Sequence, residues 1–382
     1  MSTILPELSI LQLKVAMLTR GVQLPPTEHL GRLGGAGPTL GRYFLINRDV
    51  LVNAPVRGGK SAKQFHSLKL LHLSANRFRV DQFEGTQPEV ELIPQPVYYD
   101  DILRDGTPMT HIALVHGQDC LATTIIQHCA YFNKGQECHF CSIPVSLENR
   151  QTVLYKSPDQ FLAVLKAAKK EGRASHLTLT IGSPDRSDRG IEEYIDFVSQ
   201  IRKHSDIPIH VQLEPPKPPT LLQGLKKAGV DTVGIHLEIY NDSLRKRYCP
   251  GKFHHASYQE YLQSWRIATE LFGRGQVSTF VLLGLGETPK QLHTGFKETI
   301  ETGTIPVPVP YRPNPGSRLE NHIPSYISHL DQIVTVYLDC AQLLWDHNLD
   351  PHSHRAGCIR CTGCTAITEA YQVIRAQSQS KH

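Results

Sequence analysis

The sequence predicts an α/β protein built on a mainly parallel sheet, and three observations carry that prediction. From about residue 115 to residue 310, apolar or β-branched runs alternate with amphipathic stretches. Several runs are apolar throughout rather than on alternate residues, which suits strands covered on both faces. The stretches between them carry helix start and stop signals. Six such units joined by right-handed crossovers give either a twisted sheet or an open barrel. In both, functional groups belong at the C-terminal ends of the strands.

Residues 1–110 break the alternation. A helix-like segment is followed by Gly34-Gly35-Ala36-Gly37-Pro38 and by short β-like runs at Tyr43 to Ile46 and Val50 to Val52. The glycine stretch lacks the spacing and the preceding strand of a dinucleotide fingerprint. This part is expected to be a small accessory α+β domain over the barrel mouth, with residues 111–320 forming the sheet. The expected strands there are Cys120 to Gln127, Leu177 to Ile181, Ile209 to Leu213, Thr232 to Leu237, Val277 to Leu283 and Ile305 to Val309. Ser157-Pro158 opens one helix as N-cap and first helical residue, and Gly172 closes it. Gly190 to His204, Pro219 to Ala228, Ala256 to Phe272 and Pro289 to Glu301 supply the others, with Gly229 and Gly273 as stops. Proline-rich Leu213 to Pro219 and Tyr311 to Gly316 set loops at strand ends, where Glu214, Tyr311, Arg312 and Asn314 are candidate ligand-facing groups. Residues 321–382 are expected to be a long helix followed by a cysteine-rich extension.

Composition excludes several function classes. The formal charge of +4 comes with no basic stripe interleaved with aromatics, so nucleic acid is not favoured as a partner. No apolar run approaches the roughly 18 residues of a membrane span. The start, Met1 to Leu8, has neither the cationic flank nor the cleavage site of a signal peptide, so a cytoplasmic location is expected. Of the nine cysteines, six fall in two tight groups, whereas disulfide frameworks spread theirs.

The first group is Cys129, Cys138 and Cys141, ending in Cys138-His139-Phe140-Cys141 just past a strand. Three thiolates suit a cuboidal iron–sulfur cluster with one iron left open to an outside molecule; buried thiols or part of a zinc site are the alternatives. The second group, Cys358, Cys361 and Cys364, has two-residue gaps that let successive thiolates meet one metal centre. An auxiliary iron–sulfur cluster is one occupant, and a zinc completed by His352, His354 or Cys249 is another. Cys340, among apolar residues, reads as core.

With these motifs in order, the chain resembles the radical SAM superfamily over roughly residues 115–315. The resemblance implies an α/β, partial (β/α)6 TIM-type barrel and an enzyme that cleaves S-adenosylmethionine (SAM) on a [4Fe–4S] cluster. The usual signature has three residues between the first two cysteines. Here eight, Ala130 to Glu137, separate Cys129 from Cys138, as in branches resembling the elongator acetyltransferase subunit, and Cys120 is the fallback first ligand. The resemblance further implies Phe140 near the SAM adenine, Gly182 and Ser183 (or Asp185) at the SAM amino group, and Glu238 at the ribose. It implies Arg245 or Arg247 at the SAM carboxylate and Gly284 and Leu285 along the adenine, while Gln212 faces SAM or substrate. A small-molecule substrate and a flavodoxin or ferredoxin reductant follow from it. A narrower resemblance, to the bacterial family encoded beside nitrilases, implies a nitrile-related biosynthetic pathway. The rival readings are a radical enzyme modifying tRNA or protein, and a non-enzymatic iron–sulfur scaffold or electron carrier.

Overall fold

The computed structural model describes residues 6–24 and 39–380, so the stretch Gly34 to Pro38 lies outside the described residues. The described strands, in chain order, are β1 (Val22–Gln23), β2 (Gly41–Ile46), β3 (Val50–Pro55), β4 (Leu68–Ser74), β5 (Arg77–Val80), β6 (Glu89–Leu92), β7 (Leu114–His116), β8 (Cys120–Thr124), β9 (His176–Thr180), β10 (Ile209–Leu213), β11 (Thr232–Ile235), β12 (Val277–Leu283) and β13 (Ile305–Pro310). They form two sheets, ordered β1-β4-β5-β6-β2-β3 and β13-β12-β11-β10-β9-β8-β7.

The larger sheet holds the six expected strands as β8 to β13, each pairing in parallel with the next. β9 and β11 are buried almost end to end, as apolar runs covered on both faces require. Consecutive parallel order with intervening helices makes the curled half-barrel of an open (β/α)6 fold. The edge strands β7 and β13 do not pair, so the barrel stays open along one side. β7 was not anticipated. It turns back antiparallel on β8 through a tight bend at Gly117, whose φ of 65° suits glycine.

Helix starts follow the local chemistry. Ser157 with Gln160, Ser257 with Glu260 and Thr288 with Gln291 form complete capping boxes, with Pro158 and Pro289 in the first turns. Helix Pro158–Lys170 buries Phe161, Val164, Leu165 and Ala168, one stripe at helical spacing. The other edge strand, β13, reads Ile-Pro-Val-Pro-Val-Pro. Backbone N–H groups on alternate residues point the same way, so Pro306, Pro308 and Pro310 remove the donors from the side facing away from β12. The Pro308 carbonyl is instead taken by the Tyr337 and Thr365 hydroxyls, at 2.9 and 2.7 Å.

The smaller sheet packs on helix Glu7–Arg20, which also lies against helices Leu330–Asp346 and Ile367–Gln379. Within that seam the fully buried Lys14 ammonium pairs with Glu369 at 2.8 Å. Arg312, just past β13, donates to the Leu18 carbonyl and to both the carbonyl and side-chain oxygen of Asn53. The first part of the chain is thereby fastened to the open side of the barrel.

Candidate functional site

The two cysteine groups sit at opposite ends of the barrel strands. Cys129, Cys138 and Cys141 follow β8 at the C-terminal ends. Cys120 begins β8 and pairs with His176, the first residue of β9, so it lies at the N-terminal ends.

At the C-terminal ends, Cys129 N-caps a single turn, Ala130–Asn133, and the Cys141 amide donates to the Cys138 carbonyl at 2.9 Å. Gly182 holds this loop in place. A Cβ there would stand 1.9 Å from the His128 carbonyl oxygen and 2.9 Å from the Cys129 nitrogen. The expected glycine turn is present, and its immediate neighbour is the cysteine loop. Ser183 accepts the Ala130 amide on its carbonyl at 2.9 Å, and its hydroxyl donates to Glu214. Tyr131 donates to the same carboxylate at 2.9 Å. Cys138 belongs to a small apolar cluster with Ile239, Tyr248, Cys249, Leu285 and Tyr311, and Phe140 and Cys141 pack against it. Burial pushes the thiols up, Cys129 to about 11 and Cys141 to about 12. Thiolate ligation therefore requires a cation to displace the protons.

Glu238 follows β11 in a left-handed backbone conformation, φ 67°. Its Oε1 accepts from the Lys252 ammonium at 2.6 Å, while Oε2 is buried without a partner. Burial raises the Glu238 carboxyl, an effect Lys252 opposes. For Lys252, burial works against the charge most strongly of any single influence, but Glu238 together with Tyr261, Cys138 and Glu214 holds the ammonium protonated well above the usual range. Among the described residues no three His, Cys, Asp or Glu side chains converge on one ion-sized point. The donor set does fit a larger group: three mutually interacting thiols, an apolar wall, and an orphaned buried carboxylate oxygen beside them.

The remaining expected residues separate. Arg245 is buried, with its guanidinium given to the Ala256 carbonyl at 2.8 Å and Asp242 at 2.9 Å and sandwiched near Phe253 and Tyr261. Arg247 is exposed over the Tyr248 ring. Gly284, φ 96°, is required by Tyr326, whose ring would stand 2.3 Å from a Cβ there. Asp185 is on the surface, paired with Lys134 at 2.7 Å. Gln212 points the other way along the barrel and donates to the Cys358 sulfur at 3.4 Å.

At the N-terminal ends, Cys358 and Cys361 lie one turn apart on the short helix Cys358–Cys361. The Gly357 amide donates to His176 Nδ1 at 3.1 Å, and a Cβ on Gly357 would stand 2.4 Å from the His210 ring. The Gly363 carbonyl accepts the Asn53 amide at 2.7 Å. His354 donates to the Gly275 carbonyl at 2.7 Å, and burial holds it down at about 4. His352 is occupied by Asp350 and Gln372, and Cys249 lies against Cys138 at the far end. Of the three residues expected to complete a zinc here, His352 and Cys249 are thus engaged elsewhere, and His354 keeps only its Nε2 without a hydrogen-bond partner. Cys120 is also not where a fallback first ligand would be. Its sulfur is 3.3 Å from the Thr178 hydroxyl and lies against the Cys361 thiol. Register explains this: as the first residue of β8, Cys120 is a strand-length away from the loop that carries Cys129.

A cavity of about 550 Å³ joins the two ends. Phe140 lines it above, Cys358 and Cys364 below, with Gln212, Tyr43 and Asn314 between. Sequence reasoning missed Tyr131, Lys252 and Tyr43. Nothing in their local patterns marks them, because each reaches its place by long-range packing.

The fold is thus an open α/β half-barrel with cysteine groups at both strand ends around an internal cavity. Residues 125–296 match the model of the Radical SAM superfamily, whose members use a [4Fe–4S] cluster and SAM. It is 25% identical over 234 residues to bacteriochlorophyllide c C-7(1)-hydroxylase of Chlorobaculum limnaeum, covering 56% of this chain and 58% of that protein. Among solved structures it is similar to methylornithine synthase, with 14% identity, a TM-score of 0.47, and 67% and 70% of the two chains covered. A radical SAM methyltransferase from Sphaerobacter thermophilus gives 13% identity, a TM-score of 0.44 and 76% coverage of each chain. Among the described residues no helix is long and apolar enough to cross a membrane.

Proposed function

We propose that Cys129, Cys138 and Cys141 hold the [4Fe–4S] cluster, that SAM chelates its open iron, and that a small molecule reacts in the barrel cavity. The observation that carries this reading is the cavity of about 550 Å³ opening beside Phe140, large enough for a metabolite-sized ligand. Held by these three cysteines, the cluster with SAM would supply radical chemistry for hydrogen abstraction from the substrate once given one electron by a flavodoxin or ferredoxin.

The chain's own residues do the positioning. The free Glu238 Oε2 is a buried acceptor suited to a ribose hydroxyl, fixed in place by Lys252 on its other oxygen. Gly182 keeps the Cys129 loop tight, and Ser183 and Tyr131 orient Glu214 toward the same region. Phe140 and Leu285 give an apolar wall that excludes water. Arg245 is buried and braces its helix, Arg247 is exposed over the Tyr248 ring, and Gly284 is packed against Tyr326. The resemblance to the nitrilase-associated family makes nitrile-related small molecules the first substrates to assay.

Electron paramagnetic resonance of the anaerobically reconstituted, dithionite-reduced protein tests the reading. A [4Fe–4S]⁺ signal that shifts with SAM, and whose SAM-responsive part is lost in Cys138→Ser and Cys141→Ser, is expected. Signals indifferent to SAM would sink it and favour a scaffold or electron carrier.

A further inference from the structure

The C-terminal cysteines supply three thiols, and the strand above them supplies a fourth. Cys120 lies against Cys361 and is close enough to Cys358 to interact with it, while Cys358, Cys361 and Cys364 interact among themselves. The four are held from independent directions. Cys120 is fixed in β8 between β7 and β9, paired with His116 and His176. The other three ride on a segment pinned by His176, Asn53 and Pro308. A site assembled from a paired strand and a pinned turn is pre-organised.

The immediate surroundings suit sulfur ligands. Gln212 donates to Cys358 at 3.4 Å, and the Thr178 hydroxyl stands 3.3 Å from Cys120. Hydrogen bonds of this kind orient and tune cluster thiolates. Gly117 lets backbone approach the group, since a Cβ there would sit 3.3 Å from the Cys361 sulfur. Four thiolates on one zinc, with bonds of about 2.3 Å, stand only about 3.7 Å apart. The sulfurs do not converge on such a point. A polynuclear cluster takes its thiolates on separate irons and does not require one such point.

We infer that Cys120, Cys358, Cys361 and Cys364 are the four protein ligands of a second iron–sulfur cluster on the floor of the cavity. This rests on the reading that the C-terminal cysteines bind metal, and it adds the fourth ligand and its consequence. With four thiolates the second cluster has no open iron, so SAM has one place to bind, at the other end. Cys358 and Cys364, which line the cavity, put this cluster within reach of whatever occupies it.

The test is iron content and electron paramagnetic resonance of the anaerobically reconstituted chain. The wild type should hold about eight irons, and Cys120→Ala and Cys358→Ala should each hold about four. In both variants the remaining signal should still shift with SAM, which also shows that the chain has folded. Cys120→Ser, which keeps the side-chain volume, should either lose the second signal or change its g-values. Cys340→Ala, in the core of helix Leu330–Asp346, should change nothing. If Cys358→Ala loses iron while Cys120→Ala and Cys120→Ser match the wild type, the fourth-ligand assignment is wrong and the three-cysteine reading stands. If no variant loses iron, both fail. One zinc in place of the second set of irons overturns the cluster.

Discussion

The two ends of the barrel use cysteine in different settings. At the C-terminal ends the thiols sit on a loop beside charged and polar groups, Glu238, Lys252 and Glu214, one of whose oxygens is unsatisfied. At the N-terminal ends they sit under neutral, buried histidines, on a segment tied down by backbone hydrogen bonds. The first arrangement leaves polar capacity for an exchangeable ligand. The second holds its segment through backbone hydrogen bonds and leaves its orphaned polar atoms on neutral rings, the Nε2 atoms of His176, His210 and His354. Equal numbers of clustered cysteines therefore need not mean equal roles.

That contrast can be strained from either side. The largest effect is expected at the lower end from Lys14→Ala, which leaves Glu369 buried with only Thr368 beside it. Loss of one member of a buried pair costs about 3–5 kcal/mol, read as a lower urea midpoint. Because Lys14 stitches the first helix to the last, retention of full stability would show that the seam is not a structural element of the lower site.

Next comes pH. Burial holds His354 down from 6.5 to about 4. The native imidazole stays neutral where the unfolded one takes up a proton, so its contribution is complete above 6.5 and is lost as pH falls toward 4. A shift of that size corresponds to about 3 kcal/mol. Urea unfolding at pH 7 and pH 5 should show the wild type weakening on acidification and His354→Gln weakening less. His176, also held at about 4, accounts for part of what remains. Equal slopes would place the acid sensitivity elsewhere.

The smallest effect on stability, and the most selective on the upper end, belongs to Gly182→Ala. The added methyl meets the His128 carbonyl, and overpacking of this kind costs about 1–3 kcal/mol. Displacement of the Cys129 loop should remove the SAM-responsive resonance signal while sparing the other. Loss of both signals, or of neither, would break the separation between the two ends.

What could be read from the chain was what depends on neighbours in sequence. The six parallel strands, the capping boxes and both cysteine groups are local patterns, and each expected strand falls within a few residues of its observed bounds. Tyr43 to Ile46 and Val50 to Val52 were legible as β-like and form the β2–β3 hairpin. Order in the smaller sheet was not legible, because β1 pairs β4 and β2 pairs β6 across intervening elements. The same limit applies to the sites. Cys120 and Cys361 meet only through tertiary packing, and so do Cys138 and Cys249. Arg245 looked like a ligand group because charge and position are visible in sequence, whereas the Ala256 carbonyl that occupies it is not.

The alternating prolines of β13 bear on how the cavity can vary. Where backbone ladders run, a wall's width is set by the 4.7–4.9 Å strand spacing and changes only if a strand is gained or lost. Between β13 and β7 there is no ladder, and residues 41–43, Asn53 and residues 93–96 from the first part of the chain line the cavity. Asn53 and Tyr43 are tied to the lower cysteine segment, but Pro94, Gln95 and Pro96 can be resized one substitution at a time without disturbing the barrel strands. Selectivity for a different guest can therefore be retuned on this one side, like a replaceable door in an otherwise fixed frame.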